Sequence, residues 1–142
     1  MASIWHHKPN IDLINGEMNQ GTIGAHLDIK VTEVGDDFIR GTMPADHRTF
    51  QPYRVVHGGA NVVLAESLGS IGGAHVIDLA QYKCLGQEVS ATHLRPVSSG
   101  LVVGTARPIH LGRRSHVWEI RLENEQGKLT CLAKLILAIV PH

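Results

Sequence analysis

Residues 58–77 (GGANVVLAESLGSIGGAHVI) form a long apolar stretch whose one charged residue is Glu66. A stretch that is apolar on nearly every side predicts a buried helix, because it has no face suited to water. It also has the length of a membrane span, but the central Glu66 and the many glycines favour a helix buried within a protein. Such a helix needs cover all round, which a sheet that curls around it and a second subunit can supply.

Extended segments surround this helix in the sequence. Before it, Asn10 begins a short predicted helix over 10–19, alternation predicts strands over 25–34 and 38–44, and polar residues 45–56 form a loop. After it come four predicted strands separated by turn residues, at 84–97, 101–110, 114–123 and 128–140. The order predicts an α+β fold with an antiparallel sheet of about six strands.

Composition limits the classes of function. The 142 residues are 43% hydrophobic, which fits a single domain over residues 1–142. Thirteen basic residues balance thirteen acidic ones, so no overall field attracts nucleic acid or an anionic membrane. Cys84 and Cys131 lack metal or disulfide spacing, and the N-terminus lacks the apolar run of a signal peptide. We expect a cytoplasmic protein.

Glu66 is the most informative residue, since an ionised carboxylate in an apolar helix loses hydration worth several kcal/mol unless partners replace it. One interpretation is a catalytic carboxylate, and the other is a structural ion pair or cap whose partner comes from elsewhere in the fold. No Lys or Arg lies on the same helix.

His57, Gly58 and Gly59 stand directly before and at the start of this helix. Glycines there let a ligand approach backbone N–H groups at the positive end of a helix, as an oxyanion site requires, although tight-turn chemistry explains them equally well. From Gly58 to Glu66 the helix rises about 12 Å, too far for one carbonyl group to be shared easily. We therefore predict sites at the interface of two chains whose helices run antiparallel.

Other polar residues have two interpretations each. Ser70 shares a helical face with Glu66 and either assists it or only packs. Gln51 and His57 either bind the reacting group or belong to a polar loop. Arg113 and Arg114, near His110, either bind phosphates or form a solvated hairpin tip.

Several chemistries lack their motif. The run Gly69-Ser70-Ile71-Gly72-Gly73 is no nucleophile elbow, because position 68 is Leu. The sequence has no P-loop and no dinucleotide fingerprint. Among ten histidines there is no HExxH and no clear ligand cluster, so we predict neither a metal nor a cofactor.

The chain resembles hotdog thioesterases of the phenylacetate-thioesterase type through four runs: Gln51-Pro52-Tyr53, the segment HGGANVVLAES over 57–67, Ala91-Thr92-His93, and PIHLG over 108–112. It resembles in particular the 1,4-dihydroxy-2-naphthoyl-CoA thioesterases and the enterobactin proofreading thioesterases. The resemblance covers almost the whole chain, and HGGA followed by LAES at this spacing is highly specific.

The resemblance implies a hotdog fold, in which an antiparallel sheet wraps a long central helix, and dimers that pair into a tetramer. It implies metal-free hydrolysis with Glu66 as nucleophile or general base, Gly58 N–H on the carbonyl, and Gln51, His57 and Ser70 around the thioester. The family's coenzyme A contacts fall on Gly86, His93, Arg95, His110, Leu111, Gly112, Arg113, Arg114 and Ser115.

The substrate that the resemblance implies is an aromatic acyl-CoA such as 1,4-dihydroxy-2-naphthoyl-CoA of menaquinone biosynthesis. Residues 84–90 (CLGQEVS) and Pro96 depart from the pattern, so we expect the rim of the acyl and pantetheine channel to differ from that of the naphthoyl enzymes. Two alternatives stay open: proofreading hydrolysis of aryl-carrier-protein thioesters, and non-catalytic binding of acyl-CoA. A third class, the hotdog hydratases, is disfavoured because the sequence has no Asp/His pair with the spacing that this family uses.

Overall fold

The computed structural model describes residues 2–142. In this part of the chain the α-helices are α1 (Ile11–Asn15), α2 (Ile23–His26) and α3 (Gly58–Val76), with a 3₁₀ turn at Glu17–Asn19. The strands are β1 (Lys30–Val34), β2 (Ile39–Pro44), β3 (Tyr82–His93), β4 (Leu101–Leu111), β5 (Ser115–Glu123) and β6 (Leu129–Pro141).

The six strands of the described chain form one sheet in the order β1-β2-β4-β5-β6-β3, and every neighbouring pair is antiparallel. The helix α3 packs against five of these strands. The predicted α+β class is confirmed, with a long central helix and a six-stranded antiparallel sheet.

Small residues let α3 lie close to the sheet. A β-carbon at Gly69 would lie 2.6 Å from Leu135 Cδ2, and one at Gly72 would lie 2.8 Å from Trp118 Cη2. Both positions exclude larger side chains, since protein interiors are close-packed. Leu64 and Leu68 on the same side are fully buried. The helix therefore buries one side completely and leaves the opposite flank, which includes Val62 and Glu66, half-buried.

The prediction of a strand from residue 25 is wrong at its start. Residues 23–26 form α2 instead, because the Thr22 hydroxyl accepts a hydrogen bond from Ala25 N at 3.2 Å and so caps a helical turn. Asp28 then takes a left-handed conformation with φ +54° before the strand begins at Lys30. Alternation over so few residues fits one helical turn as well as a strand.

Strand β3 lies at one edge of the sheet and pairs with β6 alone within residues 2–142. Most of its side chains are exposed, including Tyr82 and Leu85. A long edge strand with free N–H and C=O groups is a template for pairing with another chain. Within residues 2–142, no helix is long and apolar enough to cross a membrane.

The N-terminal segment crosses the end of α3. His6 N donates to His75 O at 2.8 Å, and the Trp5 indole N–H donates to Gly35 O at 2.7 Å. The Trp5 ring stacks on buried Trp118, with 6.5 Å between centroids and 18° between planes. Burial, followed by the neighbouring His75 and His6, lowers the pKa of His7 in this segment.

Candidate functional site

The Glu66 side chain is half-buried on the outer flank of α3. Its Oε2 atom lies against the backbone of Gly86 on β3, where a β-carbon would collide with it. Among residues 2–142 the carboxylate forms no salt bridge. The structural ion pair that the sequence left open is therefore absent from the described chain, and the carboxylate is available to a ligand.

The start of α3 is held by His57. Its side-chain Nδ1 accepts a hydrogen bond from Gly59 N at 2.8 Å, which caps the helix. The Gly58 N–H finds no acceptor among the described residues. Gly58 lines a cleft of about 340 Å³, called here the helix-start cleft. Its lining is Gln51, Val55, Val56, Gly58, Asn61, His93, Leu94, Arg95 and Pro96.

A tight turn brings Gln51 to this cleft. Gln51 N donates to Val55 O at 2.9 Å, and Arg54 N donates to Gln51 O at 2.8 Å. Closing the turn places Arg54 at φ +62°, a conformation rare for a residue with a β-carbon. The Gln51 side-chain oxygen accepts from Tyr53 N, which fixes the amide. Arg95 also lines the cleft, and its Nη1 donates to Leu129 O at 3.3 Å.

Asn61 is a site residue that the sequence reasoning missed. It lies on the first turn of α3, is 6% exposed, and its Nδ2 is 3.3 Å from His93 Nδ1. Its Oδ1 atom is buried without a hydrogen-bond partner in residues 2–142. The available signal was a polar side chain on the otherwise apolar first two turns of the helix, residues 58–65.

A second cleft, of about 240 Å³, lies between α3 and the N-terminal helices and is called here the flank cleft. Ser67, Ser70 and Ile71 line it from α3. The opposite wall is mainly apolar and includes Ile14, Met18, Ile23, Ile29 and Val31. Ser70 thus lies one turn beyond Glu66, at the mouth of an apolar recess.

A third cleft, of about 710 Å³, lies at the C-terminal end of α3 beside the turn between β4 and β5, and is called here the hairpin cleft. The turn residues Leu111–Arg114 line it, and Gly112 N donates to Ser115 O at 2.9 Å. The Arg113 and Arg114 side chains are exposed. Buried His116 also lines it, and burial, followed by nearby His110, lowers the pKa of His116.

The structure brings the predicted residues together in groups. Gln51, Gly58, His93 and Arg95 share the helix-start cleft, with His57 at its edge, and residues 111–114 share the hairpin cleft, with His110 and Ser115 beside them. Gly86 lies at neither cleft but against Glu66. Within residues 2–142, no three His, Cys, Asp or Glu side chains are grouped as a metal site would require.

The chain is similar to known proteins in both sequence and fold. Residues 53–131 match the model of the thioesterase superfamily. The chain is 42% identical over 137 residues to the 1,4-dihydroxy-2-naphthoyl-CoA hydrolase of Escherichia coli, covering 96% of this chain and 99% of that one. It is 42% identical over 138 residues to the proofreading thioesterase EntH of Cronobacter turicensis, covering 96% and 98%. A mutant of thioesterase PA1618 from Pseudomonas aeruginosa superimposes with a TM-score of 0.96 at 44% identity, covering 99% and 100%.

Proposed function

This chain belongs to the thioesterase superfamily, and we propose that it hydrolyses an aromatic acyl-CoA thioester with Glu66 as the reacting carboxylate. The observation that carries the proposal is the half-buried Glu66 side chain, which forms no salt bridge in residues 2–142. A carboxylate that costs stability and has no structural partner is expected at a site of chemistry.

The carbonyl oxygen of the thioester has a natural position at the Gly58 N–H. This donor is at the positive end of a long helix and has no acceptor among residues 2–142. As the acyl carbon becomes tetrahedral, negative charge grows on its oxygen, and a fixed donor stabilises that charge more than it stabilises the substrate.

Gly58 and Glu66 of one chain are about 12 Å apart along the helix, so one thioester does not reach both easily. Two copies with antiparallel α3 helices place the amide of one beside the carboxylate of the other. The edge of β3 that has no partner strand in residues 2–142 is suited to join the two sheets, since it borders Glu66 through Gly86. The proposal therefore places each active site at the interface of a homodimer, with two dimers forming a tetramer.

The other two clefts suit the two ends of an acyl-CoA. The flank cleft begins at Ser67, directly after Glu66, and has an apolar wall, which fits an aromatic acyl group. The hairpin cleft has Arg113 and Arg114 at its rim, and guanidinium groups donate charge-assisted hydrogen bonds to phosphates. The proposal assigns the nucleotide end of coenzyme A to this rim, with His93 and Arg95 along the path.

Two routes conserve atoms and protons. In the first, a Glu66 oxygen bonds to the acyl carbon, the carbon–sulfur bond breaks, and the thiolate takes a proton from a water. The hydroxide left behind attacks the resulting anhydride, which releases the free carboxylic acid and restores the Glu66 carboxylate. In the second, Glu66 removes a proton from a water that attacks the acyl carbon, and that proton passes to the departing thiolate. Either route needs Glu66 ionised and the carbonyl oxygen at an N–H donor.

A second candidate is the proofreading hydrolysis of aryl groups from a carrier protein. The similarity to EntH favours this candidate, because the chain is 42% identical to EntH and also 42% identical to the naphthoyl-CoA hydrolase. Both candidates break the same bond, so the same site serves either one. They differ in what must reach the hairpin cleft: a nucleotide or a protein surface.

Thiol release from a panel of thioesters tests the proposal. We expect hydrolysis of aryl-CoA or aryl-carrier-protein substrates, and a decrease in kcat of about 10²- to 10⁴-fold in Glu66→Gln. Glu123→Gln is the matched control, because Glu123 is also half-buried and lines none of the three clefts. Near-normal turnover in Glu66→Gln contradicts the role of Glu66, and substrate binding without thiol release favours a non-catalytic acyl-CoA binding protein.

The shared site has its own test. Glu66→Gln and Gly58→Val are each expected to be inactive alone. When the two variants are coexpressed, half of randomly formed dimers contain one intact site of two, so activity returns to about a quarter of the wild-type level. Failure to recover activity from isolated mixed dimers contradicts a site built from two chains.

A further inference from the structure

A buried amide and an imidazole meet beside the helix-start cleft. Asn61 is 6% exposed, and its Nδ2 lies 3.3 Å from Nδ1 of His93, which ends strand β3. Its Oδ1 atom is buried and has no hydrogen-bond partner among residues 2–142. Burial of an amide with half its capacity unused costs free energy, so this position needs a reason beyond packing.

The amide orientation fixes the imidazole. In the structure the NH₂ group of the Asn61 amide faces Nδ1 of His93. With the amide in this orientation Nδ1 accepts, and a neutral ring carries its proton on Nε2. A β-carbon placed on Gly58 would be 2.7 Å from Nε2 and 3.2 Å from Cδ2 and Cε1, so Nε2 is the ring atom nearest to that position. The Nε2–H group thus lies at the same wall of the cleft as the Gly58 backbone.

We infer that His93 supplies a second hydrogen-bond donor to the thioester carbonyl oxygen, beside the Gly58 N–H, and that Asn61 is the positioning residue that keeps the His93 proton on Nε2. This inference rests on the proposed hydrolysis, since the donor has a task only if a carbonyl oxygen reaches Gly58. It assigns His93 to the reacting group in addition to the coenzyme A contact that family resemblance implies.

Two donors serve the reaction better than one. When the carbonyl oxygen becomes an oxyanion, it accepts hydrogen bonds more strongly, and a single N–H group supplies only one of them. A neutral imidazole adds a donor without adding a charge beside Glu66 of the neighbouring copy. The absence of a β-carbon at Gly58 gives the ring its place, because any larger residue would displace Nε2.

Kinetics with two forms of one substrate separate this role from a coenzyme A contact. The probes are benzoyl-CoA and benzoyl-N-acetylcysteamine, which shares the thioester and lacks the nucleotide. We expect His93→Ala to lower kcat about 10²-fold on both probes with little change in KM. His93→Gln keeps an N–H donor at a similar reach and is expected to recover about tenfold of that loss. His47→Ala is the matched control, because its side chain is 86% exposed and lies outside the cleft.

Nuclear magnetic resonance tests the part of Asn61. Imidazole ¹⁵N shifts distinguish the two neutral tautomers, and the His93 signals are identified by their loss in His93→Gln. We expect the Nε2–H tautomer in the wild type, a mixture in Asn61→Ala, and a proton on Nδ1 in Asn61→Asp, whose carboxylate can only accept. Both Asn61 variants are expected to lower kcat with Glu66 in place, and a cooperative thermal unfolding transition is the check that they are folded.

Four outcomes overturn the inference. The first is an effect of His93→Ala confined to KM for benzoyl-CoA, which makes His93 a coenzyme A contact alone. The second is an Nδ1–H tautomer in the wild type, which turns an acceptor toward Gly58. The third is the absence of thiol release from every thioester by the wild type, in which case the parent proposal fails too. Activity that is lost in Glu66→Gln and kept in His93→Ala leaves the parent proposal intact and removes this one.

Discussion

A substitution at Gly86 can displace the Glu66 carboxylate without changing residue 66. A β-carbon at Gly86 would collide with Glu66 Oε2 and would lie 3.5 Å from Cδ of the same carboxyl group. Since only the oxygen is crowded, Gly86→Ala is expected to rotate or shift the carboxylate by about 1 Å, a misplacement that can cost about 10²-fold in rate. This corresponds to about 3 kcal/mol of transition-state stabilisation.

The same substitution should not harm the fold. Gly86 is exposed on a strand, and its φ is not among the positive ones. Alanine is favoured over glycine in a strand by roughly 0.5–1 kcal/mol, so the midpoint of thermal unfolding is expected to stay or rise slightly. Ser90→Ala, at an exposed position of the same strand, is the control for any general effect on β3.

A double-mutant cycle of Gly86→Ala and Glu66→Gln, measured by thiol release, distinguishes displacement of the carboxylate from loss of a coenzyme A contact. If Gly86→Ala acts by displacing the carboxylate, it has little further effect on the residual rate of Glu66→Gln. If Gly86 instead contacts coenzyme A, its substitution raises KM for the CoA thioester by the same factor in both backgrounds. Wild-type turnover in a folded Gly86→Ala protein would refute the reasoning.

Two further predictions concern stability. His57→Ala should lower the free energy of unfolding by about 1 kcal/mol, because Gly59 N loses its hydrogen-bond acceptor at the helix start. His57→Asn should retain most of that stability, since asparagine is also a helix cap. Equal thermal stability of the two variants contradicts the cap. Since the pKa of His7 lies below 6.5 in the folded chain, the unfolded chain binds more protons as pH falls through 6.5, so stability decreases on acidification. His7→Gln should reduce this decrease, measured from the fluorescence of Trp5 and Trp118, and an unchanged pH dependence would rule His7 out.

Much of the fold was predictable because its signals are local. The apolar run predicted α3 to within a residue, from Gly58 to Val76, and turn residues separated the four later strands. The error at residues 25–29 also comes from reliance on local signals. Alternation of apolar and polar residues over five positions predicted a strand, but the same residues fit a capped helical turn. Thr22 was the missed signal, and its hydroxyl caps α2.

The site was less predictable because its contacts join residues that are distant in sequence. Nothing near Gly86 indicates that this glycine accommodates a carboxylate from position 66, since the contact depends on how β3 lies over α3. The same is true of Asn61 and His93, which are 32 positions apart. A sequence pattern identifies which residues are unusual for their element, whereas their partners follow from the register of the sheet.

Three features that are costly for one isolated copy lie together on one side of the molecule. They are the half-buried outer flank of α3, the free edge of β3, and the Glu66 carboxylate, which forms no salt bridge in residues 2–142. The contact of Glu66 with Gly86 makes them neighbours. A second copy in the proposed arrangement covers the flank, pairs the edge and brings an N–H donor toward the carboxylate. Because a rigid helix keeps Gly58 and Glu66 apart, association and chemistry are inseparable in this proposal.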